Sequence, residues 1–136
     1  MDYGKISVLI VDDYMIIRKL VTQQLAMIGV TEVESAADGL EAEEILKDRK
    51  FDIILLDWGM PKKNGYTFLQ ECRANKKYND VAIIMMTGES EKKSVKEALE
   101  AGAVSYLVKP VDLESLQDKI DAAIRWLEKR RISAHD

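Results

Sequence analysis

Short β-branched runs and longer segments of helical spacing alternate along this chain. The runs fall at Ile6–Val11, Thr31–Ser35, Asp52–Asp57, Val81–Met86 and Val104–Val108. Such short apolar runs, bounded by turn residues, predict strands of a parallel sheet buried on both faces. The segments between them predict helices. In the first, Ile17, Leu20, Val21, Leu25 and Ile28 share one face and Gly29 supplies the stop. The second spans about Gly39 to Lys50 with Leu40, Ile45 and Leu46 apolar, and the third follows the capping candidate Asn64 with Phe68, Leu69 and Cys72. A fourth begins near Ser90, buries Val95, Ala98 and Leu99, and ends at Gly102. The last follows Asp112, a good capping residue, with Leu113, Leu116, Ile120, Ala123, Ile124 and Leu127 on one stripe. Five β-then-α units in strict alternation predict an α/β fold. Right-handed crossovers leave a flavodoxin-like doubly wound sheet, strand order 2-1-3-4-5, as the best fit.

Several strands end in a polar group that burial alone does not require. Ile10-Val11 runs into Asp12-Asp13, the third strand ends at Asp57, the fourth at Thr87, and the fifth at Lys109-Pro110. In a parallel sheet these termini share one edge, the edge where open α/β sheets bind ligands. Taken singly the residues have plain readings: Asp12, Asp13 and Thr87 as caps, Lys109 as a turn, Asp57 as a loop acid. Taken together they describe a site. Three acids in a small pocket cannot all stay ionised without a compensating cation. Lys109 offers one charge, and an oxygen-only ligand set with room for water suits Mg²⁺ better than Ca²⁺. Carboxylates, metal, lysine and hydroxyl resemble the needs of phosphoryl transfer. No Walker-type loop is present to hold a nucleotide.

Composition narrows the classes. At 136 residues one domain is expected, residues 1–136, with a core over about 5–128 and a basic tail at 129–136. The 47% hydrophobic and 32% charged content is that of an ordinary globular protein. A net charge of -4 argues against nucleic-acid binding, and Lys129, Arg130 and Arg131 are expected to complement a helix C-terminus in solvent. Cys72 has no partner for a disulfide, and no signal peptide or membrane-length apolar stretch is seen. A cytoplasmic location without membrane contact is the expectation. Trp58, Trp126, Met85 and Met86 read as packing residues, and His135, without a companion, is assigned nothing.

The chain resembles the receiver domains of two-component response regulators over roughly residues 5–128. The motifs that carry this are Asp12-Asp13, Asp57-Trp-Gly-Met-Pro61 with Gly65, Thr87, Tyr106 and Lys109-Pro110. Asp-Trp-x-Met-Pro and Thr87-x-Glu89 are most similar to the CheY-like chemotaxis type. The resemblance implies that Asp57 accepts a phosphoryl group from a phosphohistidine on a sensor histidine kinase. It implies that Asp13, Asp57 and the Gly59 carbonyl hold Mg²⁺, with Asp12 acting mainly through water. It further implies that Lys109 pairs with the acyl phosphate, that the Lys109–Pro110 bond is cis, and that Thr87 and Tyr106 form the switch. Gly59 departs from the family pattern, which usually has Asn there, and this bears on the lifetime of the phosphorylated state.

The leading expectation is a stand-alone phosphoacceptor switch, a signalling protein rather than an enzyme. Too few residues follow Leu127 for a DNA-binding domain, so its output surface would be the fourth helix, fifth strand and fifth helix. A flagellar motor switch protein is the preferred target, with a phosphatase as a possible further partner. The alternatives are a phosphorelay intermediate and a receiver cut from a longer regulator. A haloacid-dehalogenase-type phosphatase would need Asp-x-Asp-x-Thr where Asp57-Trp58-Gly59 stands. A flavodoxin would need a Ser/Thr/Gly phosphate loop where Asp12-Asp13-Tyr14-Met15 stands. Both enzyme readings fail on placement.

Overall fold

The structure, a computed structural model, describes residues 1–60, 63–88 and 94–135, with side chains up to Ile132. Five strands form one parallel sheet: β1 (Ser7–Val11), β2 (Glu32–Ala36), β3 (Ile53–Asp57), β4 (Ala82–Thr87) and β5 (Ser105–Val108). Their spatial order is β2-β1-β3-β4-β5, as the alternating pattern predicts. Five helices alternate with them: α1 (Met15–Ile28), α2 (Gly39–Asp48), α3 (Gly65–Ala74), α4 (Val95–Glu100) and α5 (Leu113–His135). Every strand lies within a residue of its expected bounds. The expected start of the fourth helix at Ser90, and Pro61 and Glu89, lie outside the described residues.

The period-two alternation of the strands sorts their side chains onto two faces. Val8, Ile10, Ile53, Leu55, Ile84 and Met86 face α1 and α5. Leu9, Val11, Ile54, Leu56, Ile83 and Met85 face α2, α3 and α4. All five residues of β3 are buried, which a central strand covered on both sides requires.

The helix ends follow local chemistry. Gly29 ends α1 at φ 113°, a left-handed backbone that suits glycine, and its N–H bonds the carbonyls of Leu25 and Ala26. Asn64 and Asp112 cap as expected: Thr67 N–H donates to Asn64 Oδ1 at 2.8 Å, and Ser115 N–H to Asp112 Oδ1 at 2.8 Å. Asp38 caps α2 through the Glu41 N–H.

Two apolar assignments are corrected. Leu20 is 36% exposed and Leu99 42%. Each sits one position, about 100° of helix rotation, from a core-facing residue: Val21 and Ala98 respectively. Apolar character widened the stripe in the sequence beyond the width that packing uses. The basic segment is also more ordered than a solvated tail. It continues α5 as far as His135, with Arg130 3.1 Å from Asp80 and Arg131 2.8 Å from Asp52. Among the described residues, no helix is long and apolar enough to cross a membrane.

Candidate functional site

Strand register builds the site. Val11 pairs with Leu56, so Asp12 and Asp57, each one residue further on, emerge side by side from β1 and β3. Asp57 pairs with Met86, which brings Thr87 to the same edge, and Thr87 pairs with Val108, which delivers Lys109. Backbone bonds extend the ladders past the strand ends: Trp58 N–H to Met86 O at 3.1 Å, and Lys109 N–H to Thr87 O at 2.7 Å. One carboxylate oxygen from each of Asp12, Asp13 and Asp57 lies within 4.8 Å of the other two. The convergence expected of residues spread over a hundred positions is present.

Lys109 Nζ stands between two of these acids, donating to Asp57 Oδ1 at 2.9 Å and lying 2.7 Å from Asp12 Oδ2. Asp12 is fully buried and Asp57 nearly so, whereas Asp13 is half-buried. Asp12 Oδ1 accepts from the Tyr14 N–H at 2.8 Å, so this acid also organises the start of α1. Burial is the main cause that pushes the Asp57 carboxyl up to about 6; the Asp12 charge adds to it and Lys109 only partly offsets it. For Lys109 burial acts downward, but its bonds to Asp12 and Asp57 outweigh that and hold its pKa above the ordinary lysine value.

One ammonium does not neutralise three carboxylates. Among the described residues, Asp13 Oδ1 is buried without a hydrogen-bond partner. An orphaned buried carboxylate oxygen beside two others fits a hard divalent cation. The acceptor-only donor set is the right chemistry for it.

Thr87 is fully buried at the sheet edge, and its hydroxyl donates to the Leu107 carbonyl at a long 3.4 Å. Tyr106 is half-buried on β5 against the α2–α4 face, with Lys119 Nζ 5.2 Å from its ring centroid. The Lys109–Pro110 peptide is cis, as the resemblance implies. Trp58 is half-buried against the core, its ring 5.2 Å from that of Tyr66, and Gly59 is exposed.

Two supports went unseen in the sequence. Arg18 on α1 donates to the Asp12 backbone carbonyl at 2.6 Å. Lys63, in the loop between β3 and α3, pairs with both Glu43 of α2 and Glu71 of α3. Neither partner is spaced by a helical repeat, so no local pattern signals them.

A doubly wound five-stranded sheet with an acidic, lysine-bridged mouth at its carboxyl edge defines a class, and the response regulator receiver domain matches this chain over residues 8–121. The chain belongs to that family and is CheY-like. It is 35% identical to chemotaxis protein CheY-3 of Vibrio cholerae over 115 residues, covering 85% of this chain and 88% of the relative. It is 37% identical to a chemotaxis protein CheY homolog of Campylobacter jejuni over 116 residues, covering 85% and 89%. The structure of Vibrio cholerae chemotaxis protein CheY4 superposes with a TM-score of 0.79 at 36% identity, covering 87% of this chain and 98% of that one.

Proposed function

We propose that this protein is a Mg²⁺-dependent phosphoacceptor in which Asp57 takes a phosphoryl group from a phosphohistidine of a sensor kinase. A carboxylate oxygen of Asp57 attacks phosphorus, the phosphorus–nitrogen bond breaks, and the electron pair returns to the imidazole. The attacking group must be ionised, and a pKa near 6 leaves it mostly so at neutral pH. Lys109, already on Asp57, stands where negative charge accumulates on the phosphoryl oxygens. Asp13 with its orphaned oxygen, Asp57 and the Gly59 carbonyl would hold Mg²⁺, with Asp12 behind them. The ion would neutralise charge on the transferring group.

The readout is a local electrostatic event acting on a two-state element. Among the described residues the Thr87 hydroxyl has a long bond to Leu107, so a phosphoryl oxygen would offer it a stronger, charge-assisted partner. Tyr106 on the adjoining strand would then move inward, changing the face formed by α4, β5 and α5. The names of the CheY-like relatives support a chemotaxis role; within that role a flagellar motor switch protein is the proposed target and a phosphatase a proposed further partner. A single domain acting in the cytoplasm accompanies that reading.

The observation that carries the proposal is the nearly buried Asp57 carboxylate, flanked by two acids and bonded to Lys109. Acetyl phosphate with Mg²⁺ should add one phosphoryl group per chain, and Asp57→Asn should abolish it. Labelling that persists in the variant refutes the site. Pull-down with motor-switch and histidine phosphotransfer proteins separates the chemotaxis reading from a phosphorelay.

A further inference from the structure

We propose a second binding site, for a small phosphate-bearing molecule, in the cleft at the amino-terminal edge of the sheet, opposite the acidic mouth. The cleft has a volume of about 250 Å³. Three cations from separate elements line it: Lys50 before β3, Lys77 in the short 3₁₀ turn after α3, and Arg131 near the end of α5. Its floor is apolar, made by Leu46, Phe51 and Val81.

Cations past the ends of α2 and α3 have an ordinary explanation in the helix dipole. That explanation covers each cation alone, Arg131 near the end of α5 included, but not why α5 runs on past its core. The last core residue of α5 among the described residues is Leu127, yet the helix continues through His135. At 23 residues it is about 34 Å long, roughly twice the span of a five-residue strand. Ile132, in the overhang, is 63% exposed, so packing does not hold this part down. Ion pairs do. Arg130 binds Asp80, and Arg131 binds Asp52 through one terminal nitrogen at 2.8 Å. Asp52 is itself fixed by the Ser7 N–H at 2.9 Å and the Ser7 hydroxyl at 3.2 Å. The overhang therefore delivers an oriented guanidinium, with donors left over, to the rim of the cleft.

Charge decides the ligand class. Asp52 and Asp80, which also line the cleft, are matched by Arg131 and Arg130. Lys50 and Lys77 have no carboxylate partner among the described residues, so the lining, with three cations against two carboxylates, carries a net positive charge of one. Lysine and arginine around one opening suit a phosphate group, while the floor accepts an organic body. The volume lies below the usual range for ligand pockets, about 300–1,000 Å³, which points to a mononucleotide-sized molecule at most.

The test titrates the full chain, without Mg²⁺, with ADP, inorganic pyrophosphate and adenosine, following backbone amide resonances. ADP should shift the amides of Lys50, Lys77 and Arg131 saturably, and adenosine should not. The double variant Lys50→Ala/Lys77→Ala, both lysines being exposed, should keep its resonance pattern and bind ADP at least about tenfold more weakly. Pyrophosphate binding as tightly as ADP assigns the site to the phosphate alone; weaker binding assigns part of it to the organic body. Four results overturn the proposal. These are no saturable shift with either anion, shifts confined to the acidic mouth, equal binding of adenosine, and unchanged affinity in the double variant.

Discussion

A Cβ on Gly65 would overlap the carbonyl oxygen of Asp57. The first residue of α3 thus packs directly on the backbone of the residue at the centre of the acidic mouth. Its N–H also donates to the Trp58 carbonyl at 2.8 Å. The start of α3 and the end of β3 are held as one unit, and only a residue without a side chain permits the approach.

Gly65→Ala must therefore displace either the helix or Asp57. The clash is with backbone, so no rotamer change relieves it. A loss of about 2 kcal/mol or more in folding stability is expected by urea unfolding. Mg²⁺ binding, read through Trp58 fluorescence, should weaken at the same time. A variant with unchanged stability would show that α3 is not fixed against β3 in this way.

The pKa of Asp57 gives a pH dependence with a definite sign. The folded value, about 6, lies above the ordinary 3.8, so between these values the folded state binds more protons than the unfolded one. The stability contributed by the protonated carboxyl is fully present below about pH 4 and is lost as pH rises through about 6. Asp57→Asn removes the titration. Without Mg²⁺ the variant should therefore gain stability over the parent by roughly 3 kcal/mol at pH 8, and lose that advantage near pH 4. Thermal melts at the two pH values measure the difference. An equal difference at both would mean that Asp57 does not titrate as described.

Cys72 is 4% exposed between α3 and its neighbours, and burial pushes its thiol up to about 12. Reaction with thiol reagents requires the thiolate, so the folded protein should be inert to Ellman's reagent at pH 8. Labelling should become complete in urea, at a rate that follows opening of the fold. Fast labelling without denaturant would contradict the packing of α3.

Much of this arrangement was legible because a parallel sheet converts sequence into position. Asp12, Asp57, Thr87 and Lys109 each end or directly follow a strand, and parallel pairing forces all four to one edge. What was not legible depends on side chains reaching across elements. Lys63 joins Glu43 and Glu71 across two helices, and Arg131 reaches Asp52 across 79 positions. Leu20 and Leu99 failed for a different reason: an exposed leucine at the edge of a stripe has the same helical spacing as a buried one. The overhang of α5 was hidden too, since basic residues past the last core leucine fit a tail as well as a helix.

Removing the ammonium at the mouth should separate metal binding from phosphoryl transfer. Lys109 donates to Asp57 and lies against Asp12, so it competes electrostatically with any divalent cation held by the same acids. In Lys109→Gln the carboxylates keep their negative charge without the competing cation. Mg²⁺ affinity at pH 8 should therefore rise severalfold, since one unit of positive charge is gone from the pocket. The loss also raises the Asp57 pKa further, because its bond to Lys109 acts to lower it. The gain in affinity should accordingly shrink toward pH 6, where protons compete for Asp57. Phosphorylation by acetyl phosphate should fall by a factor of about ten or more even at saturating Mg²⁺, because the group facing the developing phosphoryl charge is missing. A variant that binds Mg²⁺ less tightly at pH 8, or accepts phosphate at the parent's rate, would remove Lys109 from the role assigned to it.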